Sequence, residues 1–86
     1  MRKFEYTITD PLGIHARPAG LLAREARAFA DTVITLHRGD ASARLSQLMR
    51  LMSLGVQPGD RVTVTAEGPG EDAAIRAMEA FFRAHL

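Results

Sequence analysis

The chain has 86 residues and no cysteine, so we expect one domain, residues 1–86, whose core forms without disulfides or a thiolate metal site. Its 11 basic and 10 acidic side chains give a net charge of +1, which argues against a protein that binds the nucleic-acid backbone. Three scattered histidines lack metal-ligand spacing, and no stretch approaches the ~20 apolar residues of a membrane span, so we expect no metal, no cofactor, no membrane insertion and a cytoplasmic location.

The first predicted element is a strand. Residues 4–9, Phe-Glu-Tyr-Thr-Ile-Thr, alternate between apolar and polar side chains, which is the pattern of a strand with one buried face. The turn-forming run Asp-Pro-Leu-Gly at 10–13 ends this pattern and leads the chain to His15. The histidine is therefore expected between a strand and the element that follows.

That next element is predicted to be a helix over residues 16–29. Pro18 falls in its first turn, where a missing N–H costs little, and apolar residues recur at helical spacing. The buried side is predicted to carry Ala19, Leu22, Ala26 and Phe29. His15 then occupies the N-cap, a position that favours Ser, Thr, Asp or Asn, so its presence there calls for a reason other than helix stability.

Anion chemistry supplies such a reason. The first turn of a helix presents unpaired N–H groups, including that of Ala16, and the positive end of the helix dipole. Arg17 adds a permanent charge with a fork of donors that suits phosphate oxygens. A neutral imidazole at this place is a nucleophile whose modified, anionic form would be stabilised. The stretch predicts that His15 accepts a phosphoryl group reversibly, on a ring nitrogen that the sequence leaves open.

Two further strands and a short helix follow. Residues 32–37 and 41–45 are predicted to form a hairpin about Gly39-Asp40, so the adhesion-like tripeptide Arg38-Gly39-Asp40 is interpreted as a turn. Ser46 is predicted to cap a helix over residues 47–53 that ends at Gly55. This helix has four apolar side chains, which are too many for one narrow buried stripe, so some of them should be exposed; the four are Leu48, Met49, Leu51 and Met52.

The chain ends with a fourth strand and a third helix. Residues 62–66 alternate as a strand does, and the loop 68–70 lacks the ending of a phosphate-binding P-loop. The helix begins with two acids and carries the apolar stripe Ile75, Met78 and Phe82, while His85 and His37 are interpreted as surface residues. The order β-α-β-β-α-β-α indicates an α+β fold with a largely antiparallel sheet and helices on one face.

Two motifs bring a family into view. Residues 13–19, Gly-Ile-His-Ala-Arg-Pro-Ala, together with Met-Ser-Leu-Gly at 52–55, resemble HPr, the histidine-containing phosphocarrier family of the bacterial phosphoenolpyruvate-dependent phosphotransferase system, and the resemblance spans essentially the whole chain. It implies an open-faced β-sandwich, in which two long helices and one short helix cover one face of a four-stranded antiparallel sheet. It also implies that His15 takes a phosphoryl group from enzyme I and passes it to enzyme IIA proteins, with Arg17 and the Ala16 amide stabilising the charge.

The resemblance implies a docking surface as well. In HPr proteins the first helix and its basic residues face acidic partners, and the short helix supplies apolar contacts. Carried over, the partner-binding residues are Gly20, Leu21, Arg24, Arg27, Leu48, Met49 and Met52. From the sequence alone, Arg24 and Arg27 fit a solvated helix face equally well. We expect a monomer.

Departures from the family pattern concern regulation and partner choice. Gln47 occupies the place of the family's regulatory serine, and Ser46 lies one position earlier, as if a residue were inserted near 30–32, so we expect no phosphorylation by a serine kinase. Arg50 and Gly20 also differ from the usual residues. Two other functions remain open: a regulatory paralogue of the nitrogen-related phosphotransfer branch, and a non-catalytic module that holds an anion. The run at 52–55 favours the sugar branch.

Overall fold

The computed structural model describes all residues, 1–86. It contains four strands and three helices in the predicted order: β1 (Arg2–Thr7), α1 (Ala16–Arg27), β2 (Val33–Arg38), β3 (Ala41–Arg44), α2 (Leu48–Ser53), β4 (Arg61–Glu67) and α3 (Glu71–His85). The predicted fold class is confirmed, and the ends of the elements differ from prediction by only one or two residues. No helix is both long enough and apolar enough to cross a bilayer.

The sheet has the strand order β1-β4-β2-β3, and every neighbouring pair is antiparallel. β4, which is last in sequence, lies between the first two strands: Val64 pairs with Phe4 on one side and with Leu36 on the other. After β1 the chain must therefore pass through α1 and return as β2 one strand position away, which leaves the position between β1 and β2 for β4. In this crossover, residues 8–15 lead from the end of β1 to the start of α1.

The core lies between one face of the sheet and the helices. Along β4, Val62, Val64 and Ala66 are buried while the alternating Thr63 and Thr65 are only partly so, which gives the sheet one apolar face and one open face rich in threonine. The helices pack on the apolar face. The largest fully buried side chains are Phe82, Ile8, Leu22, Leu36, Leu45, Leu51, Met78, Val62 and Val64.

The helix ends show two differences from prediction. α1 stops at Arg27 because the N–H groups of Ala28 and Phe29 bond three residues back, to Glu25 and Ala26, which tightens the last turn. Phe29 is consequently half-buried beyond the helix instead of within it.

The predicted Ser46 cap of α2 is wrong. Gln47 is the N-cap, and its side chain makes no capping bond. The Gln47 N–H donates to the Arg44 carbonyl, so the chain turns there and the helix begins at Leu48. The C-terminal end is as predicted: Gly55 follows the last helical turn with a positive φ of 64°.

The β2–β3 hairpin closes at Gly39, whose φ is 58°, which confirms the interpretation of residues 38–40 as a turn. Arg38 is engaged within the fold: its Nε lies 2.9 Å from Asp60 Oδ2 and its Nη1 donates to the Leu54 carbonyl at 2.7 Å. This arginine thereby ties the end of α2 to the turn before β4.

α3 starts in an acid-rich turn, as predicted. A hydrogen bond from the Met1 amino group and the N–H of Gly68 lower the pKa of Glu71. The Glu71 carboxylate accepts a hydrogen bond from the Gly68 N–H, and the Gly68 carbonyl accepts one from the Glu71 N–H. These reciprocal bonds fix where α3 leaves the sheet.

The segment that joins β1 to α1 is anchored to two distant parts of the chain. The N–H groups of Thr9 and Asp10 donate to the Leu86 carbonyl, and that of Ile14 donates to the Val56 carbonyl. Gly13 has a φ of 67° and lies so close to Val56 that a Cβ would overlap its carbonyl oxygen. The conformation of this segment is therefore set before His15 is reached.

Phe82→Ala tests how α3 packs. The ring is fully buried and contacts Phe4 and Tyr6 edge to face, with centroids 5.4 and 5.6 Å apart. We expect a loss of about 3 to 5 kcal/mol in the free energy of unfolding by urea, because the substitution leaves a core cavity. Exposed Arg83→Ala on the same helix is the control, expected within ~0.5 kcal/mol of the parent. A negligible loss for Phe82→Ala would mean that α3 is oriented differently.

Gly13→Ala and Gly20→Ala should change stability in opposite directions. Alanine at 13 meets the Val56 backbone and a positive φ, so we expect a loss of about 1 to 3 kcal/mol. Gly20 lies inside α1 with open space around a Cβ, so alanine should add ~0.5 to 1 kcal/mol. Urea denaturation of both variants measures the difference, and an equal response would contradict the close packing described for Gly13.

Candidate functional site

His15 is the N-cap of α1, as predicted. Its backbone is extended, with φ −111° and ψ −179°, and its side chain makes no capping bond. The first intrahelical bond runs from the Ala19 N–H to the His15 carbonyl, Pro18 has no N–H, and the first-turn amides of Ala16 and Arg17 lie before any intrahelical acceptor. The imidazole is 34% exposed. The imidazole is therefore partly accessible, makes no capping hydrogen bond and lies at the positive end of the helix dipole.

A shallow cavity of about 250 Å³ surrounds the ring. It brings His15 and Arg17 together, as the sequence predicted. It also includes two residues that the sequence interpretation assigned to a turn and to the surface, Asp10 and His85; the full lining is Asp10, His15, Arg17, Pro18, Leu21 and His85. His85 is exposed, as expected of a surface residue, but α3 packs so that its last turn ends beside the histidine.

Asp10 gives the two ring nitrogens different surroundings. Its Oδ1 lies 3.7 Å from His15 Nε2, and the same oxygen accepts the Leu12 N–H at 2.8 Å. The turn chemistry of residues 10–13 was visible in the sequence, but nothing in it indicated that the carboxylate points to the imidazole. Nε2 therefore faces the negative Asp10 carboxylate, whereas the N-terminus of α1, at which His15 lies, is the positive end of the helix dipole.

Apolar side chains are exposed on α1, where Leu21 lines this cavity, and on α2. Leu21 on α1 is 42% exposed, and on α2 Met49 is 78% and Met52 is 37% exposed. Leu51 is fully buried and Leu48 is half-buried against the core, so the expectation that part of the α2 apolar set is exposed is confirmed. Leu12, 70% exposed at the turn before His15, is a further apolar residue here that the sequence interpretation did not select.

The three arginines of α1 differ in what they contact. None of them forms an ion pair. Arg24 is exposed and lines a second cavity with Leu21 and His85. Arg27 is exposed too, but its guanidinium donates twice to the Ser46 carbonyl, at 3.2 and 3.0 Å, so it also fastens α1 to the entrance of α2. Gly20 leaves open space on the same helix.

The arrangement is suited to a small anion at the tip of α1. Arg17 is the one permanent cation in the cavity lining and Asp10 the one acid. No three acidic, histidine or cysteine side chains approach closely enough to hold a metal ion. A covalently attached anion on His15 would meet first-turn amides and a guanidinium while staying at the surface.

Comparisons with known proteins agree with this geometry. Residues 2–84 match the family model PTS-HPr, described as the PTS HPr component phosphorylation site. The chain is 35% identical to the phosphocarrier protein HPr of Mycoplasma pneumoniae over 99% of its own length and 97% of that protein. It also matches 9% of a multiphosphoryl transfer protein of Xanthomonas campestris at 38% identity over 91% of this chain.

A solved structure gives the same result. The crystal structure of HPr-C-His from Thermoanaerobacter tengcongensis superposes with a TM-score of 0.91 at 32% identity, covering 98% of this chain and 93% of that one. Sequence identity at this level over nearly whole chains, with the same arrangement of strands and helices, shows common family membership. The chain belongs to the HPr family of histidine-containing phosphocarriers of the phosphotransferase system.

Proposed function

We propose that His15 receives a phosphoryl group from the phosphohistidine of enzyme I and passes it to a histidine of an enzyme IIA protein. The observation that carries this proposal is the partly exposed imidazole at the N-terminus of α1, in a cavity that it shares with Arg17. Phosphoryl transfer between two imidazoles proceeds through a loose transition state, so the protein must chiefly align the rings and stabilise charge on the equatorial oxygens. Arg17 and the first-turn amides of α1 serve the second need.

We propose that Nδ1 of His15 is the phosphoryl acceptor. A phosphoryl group on Nε2 would lie against the Asp10 carboxylate, whose Oδ1 is 3.7 Å away, and the two anions would repel. Nδ1 has no such neighbour among the ion pairs of the chain. A carrier must also release its cargo, and a shallow surface site stabilises the phosphoryl group less than a deep pocket would.

The partner surface follows from exposure. Arg24 and Leu21 on α1 and Met49 and Met52 on α2 are exposed and combine unpaired positive charge with flexible apolar side chains, which suits acidic partners of more than one shape. Leu12, exposed in the turn before His15, is a further apolar candidate for this surface.

Other residues of the expected surface have a supporting part. Leu48 packs against the core, Arg27 fastens α2 to α1, and Gly20 leaves room for a partner to approach. One copy of the chain presents the whole surface, so we propose that it acts as a monomer.

We propose the sugar branch of the system as the context, because the resemblance carried by the Met-Ser-Leu-Gly run at 52–55 favours it. The nitrogen-related branch has the same chemistry and differs in its partners. Transfer from the phosphorylated chain to purified enzyme IIA of each branch separates the two, and faster transfer to the nitrogen-branch protein would overturn the assignment.

His15→Ala should abolish phosphorylation. With phosphoenolpyruvate and enzyme I, the parent should gain one acid-labile phosphoryl group per chain and the variant none, because the nucleophile is removed. His37→Ala is the matched control: its Nε2 lies 3.1 Å from Thr65 Oγ1 on the open face of the sheet, and labelling should be unchanged. Label that survives His15→Ala would remove this residue from the mechanism, and an unlabelled parent would favour the anion-binding module.

Ser46 should not be a kinase site. It is half-buried, precedes the N-cap of α2, and its carbonyl is bound by Arg27, so its hydroxyl is one position away from that of the family serine. With an HPr serine kinase and ATP we expect no label on the parent and a gain of label on Gln47→Ser, which restores the hydroxyl to the N-cap. Mass spectrometry locates the site, and phosphorylated Ser46 in the parent would refute the prediction.

A further inference from the structure

We infer that Asp10 holds a proton on Nε2 of His15 in both the free and the phosphorylated states, and so keeps the ring ready to release the phosphoryl group. Asp10 is a positioning residue in this inference, since it acts through the imidazole and not on the transferred group. The inference rests on the proposed function of His15 and adds a residue to it.

The Asp10 carboxylate is held in place. The backbone N–H of Asp10 donates to the Leu86 carbonyl at 2.9 Å, and its carbonyl accepts from Gly13 at 2.9 Å. Its side chain is fixed by the Leu12 N–H, which donates to Oδ1 at 2.8 Å. The side chain is 24% exposed and that of His15 34%. A carboxylate restrained in this way keeps its orientation toward the ring without further ordering cost.

The gap between the groups is within ion-pair range. Oδ1 lies 3.7 Å from Nε2, which is longer than a hydrogen bond but short enough for the carboxylate to stabilise positive charge on the ring. The charged or titratable side chains that line the cavity with the ring are Asp10 from the β1–α1 segment, Arg17 from α1 and His85 from α3, and the backbone oxygen of Leu86 lies beside Asp10, whose N–H it accepts. Asp10 is the one acidic side chain in this lining, and its charge favours positive charge on the imidazole.

The proton on Nε2 allows transfer with no other proton moving. In the free state Nε2 bears the proton and Nδ1 has the lone pair. Nδ1 forms an N–P bond as the N–P bond of the donor breaks, which gives a ring with a phosphoryl group on Nδ1 and a proton on Nε2. In onward transfer the N–P bond electrons return to Nδ1 and the leaving group is a neutral imidazole.

Without that proton the leaving group would be an imidazolate, which departs far less readily. The carboxylate favours the protonated, cationic ring of the phosphorylated state, while Arg17 and the α1 amides accommodate the phosphoryl oxygens. Asp10 thus stabilises the positive charge of the phosphorylated ring on its Nε2 side, and Arg17 and the α1 amides stabilise the negative phosphoryl group on its Nδ1 side.

Asp10→Asn and Asp10→Ala separate charge from shape. Asparagine can still accept the Leu12 N–H and keep the turn, whereas alanine cannot. Asp40→Asn, which makes the same charge change at the exposed β2–β3 turn, is the matched control. Each protein is phosphorylated with potassium phosphoramidate, a small-molecule donor that needs no enzyme I, and His15→Ala supplies the background from the other histidines.

The readout is the hydrolysis rate of phosphohistidine across pH 5 to 10, with the ³¹P NMR signal followed in parallel. Hydrolysis is expected to be fast where Nε2 of the phosphorylated ring is protonated and slow at higher pH. In Asp10→Asn we expect the change from fast to slow hydrolysis about 0.5 to 1 pH unit lower than in the parent, because the carboxylate that stabilises the protonated ring is lost. Transfer to enzyme IIA near pH 8 should slow by about three- to tenfold, which is that shift expressed as a population. Asp40→Asn should match the parent.

Two outcomes would overturn the inference. If Asp10→Asn matches the parent and only Asp10→Ala differs, Asp10 merely shapes the turn. If both match the parent, the carboxylate has no influence on the ring. Failure of the proposed function looks different, because enzyme I would then fail to phosphorylate the parent while the phosphoramidate-treated proteins still report on Asp10.

Discussion

Backbone hydrogen bonds that attach the β1–α1 segment to distant parts of the chain are the constraint on which the site depends. The Leu86 carbonyl accepts from Thr9 and Asp10, and the Val56 carbonyl accepts from Ile14, with Gly13 pressed against the same peptide. A side chain at this position on a free loop would lose its orientation to conformational entropy. Here the sheet, the end of α3 and the turn before β4 all hold the segment, and the histidine enters α1 in one conformation.

That constraint bears on the proposed reversible chemistry. The imidazole makes no capping bond and a third of it is exposed, so in the proposed function the ring is accessible to a partner's histidine. The charges beside it are few: one guanidinium and one carboxylate, with the helix dipole. In the proposed function, these charges would stabilise a phosphoryl group between encounters, and the openness of the site to water would keep the interaction weak enough for release.

Local patterns predicted most of the fold because they depend on near neighbours. The period of two in residues 4–9 and 62–66 and the helical spacing after Pro18 gave the correct element types and order. The errors arose where a longer contact decided the outcome. The guanidinium of Arg27 donates to the Ser46 carbonyl, 19 residues along the chain, just before α2 begins, and no preference of Ser46 for a cap position could reveal that bond.

The sequence by itself determined the N-cap histidine, the arginine two residues later and the helix that they begin, because capping, proline placement and the dipole act within one turn of chain. Only the tertiary structure decided that β4 lies between β1 and β2, that His85 reaches the cavity, and that Asp10 points to Nε2. The physical reason is the burial of α3 on the sheet. Packing Phe82 against Phe4 and Tyr6 brings the last residues of the chain beside the first loop, and no local periodicity encodes that contact.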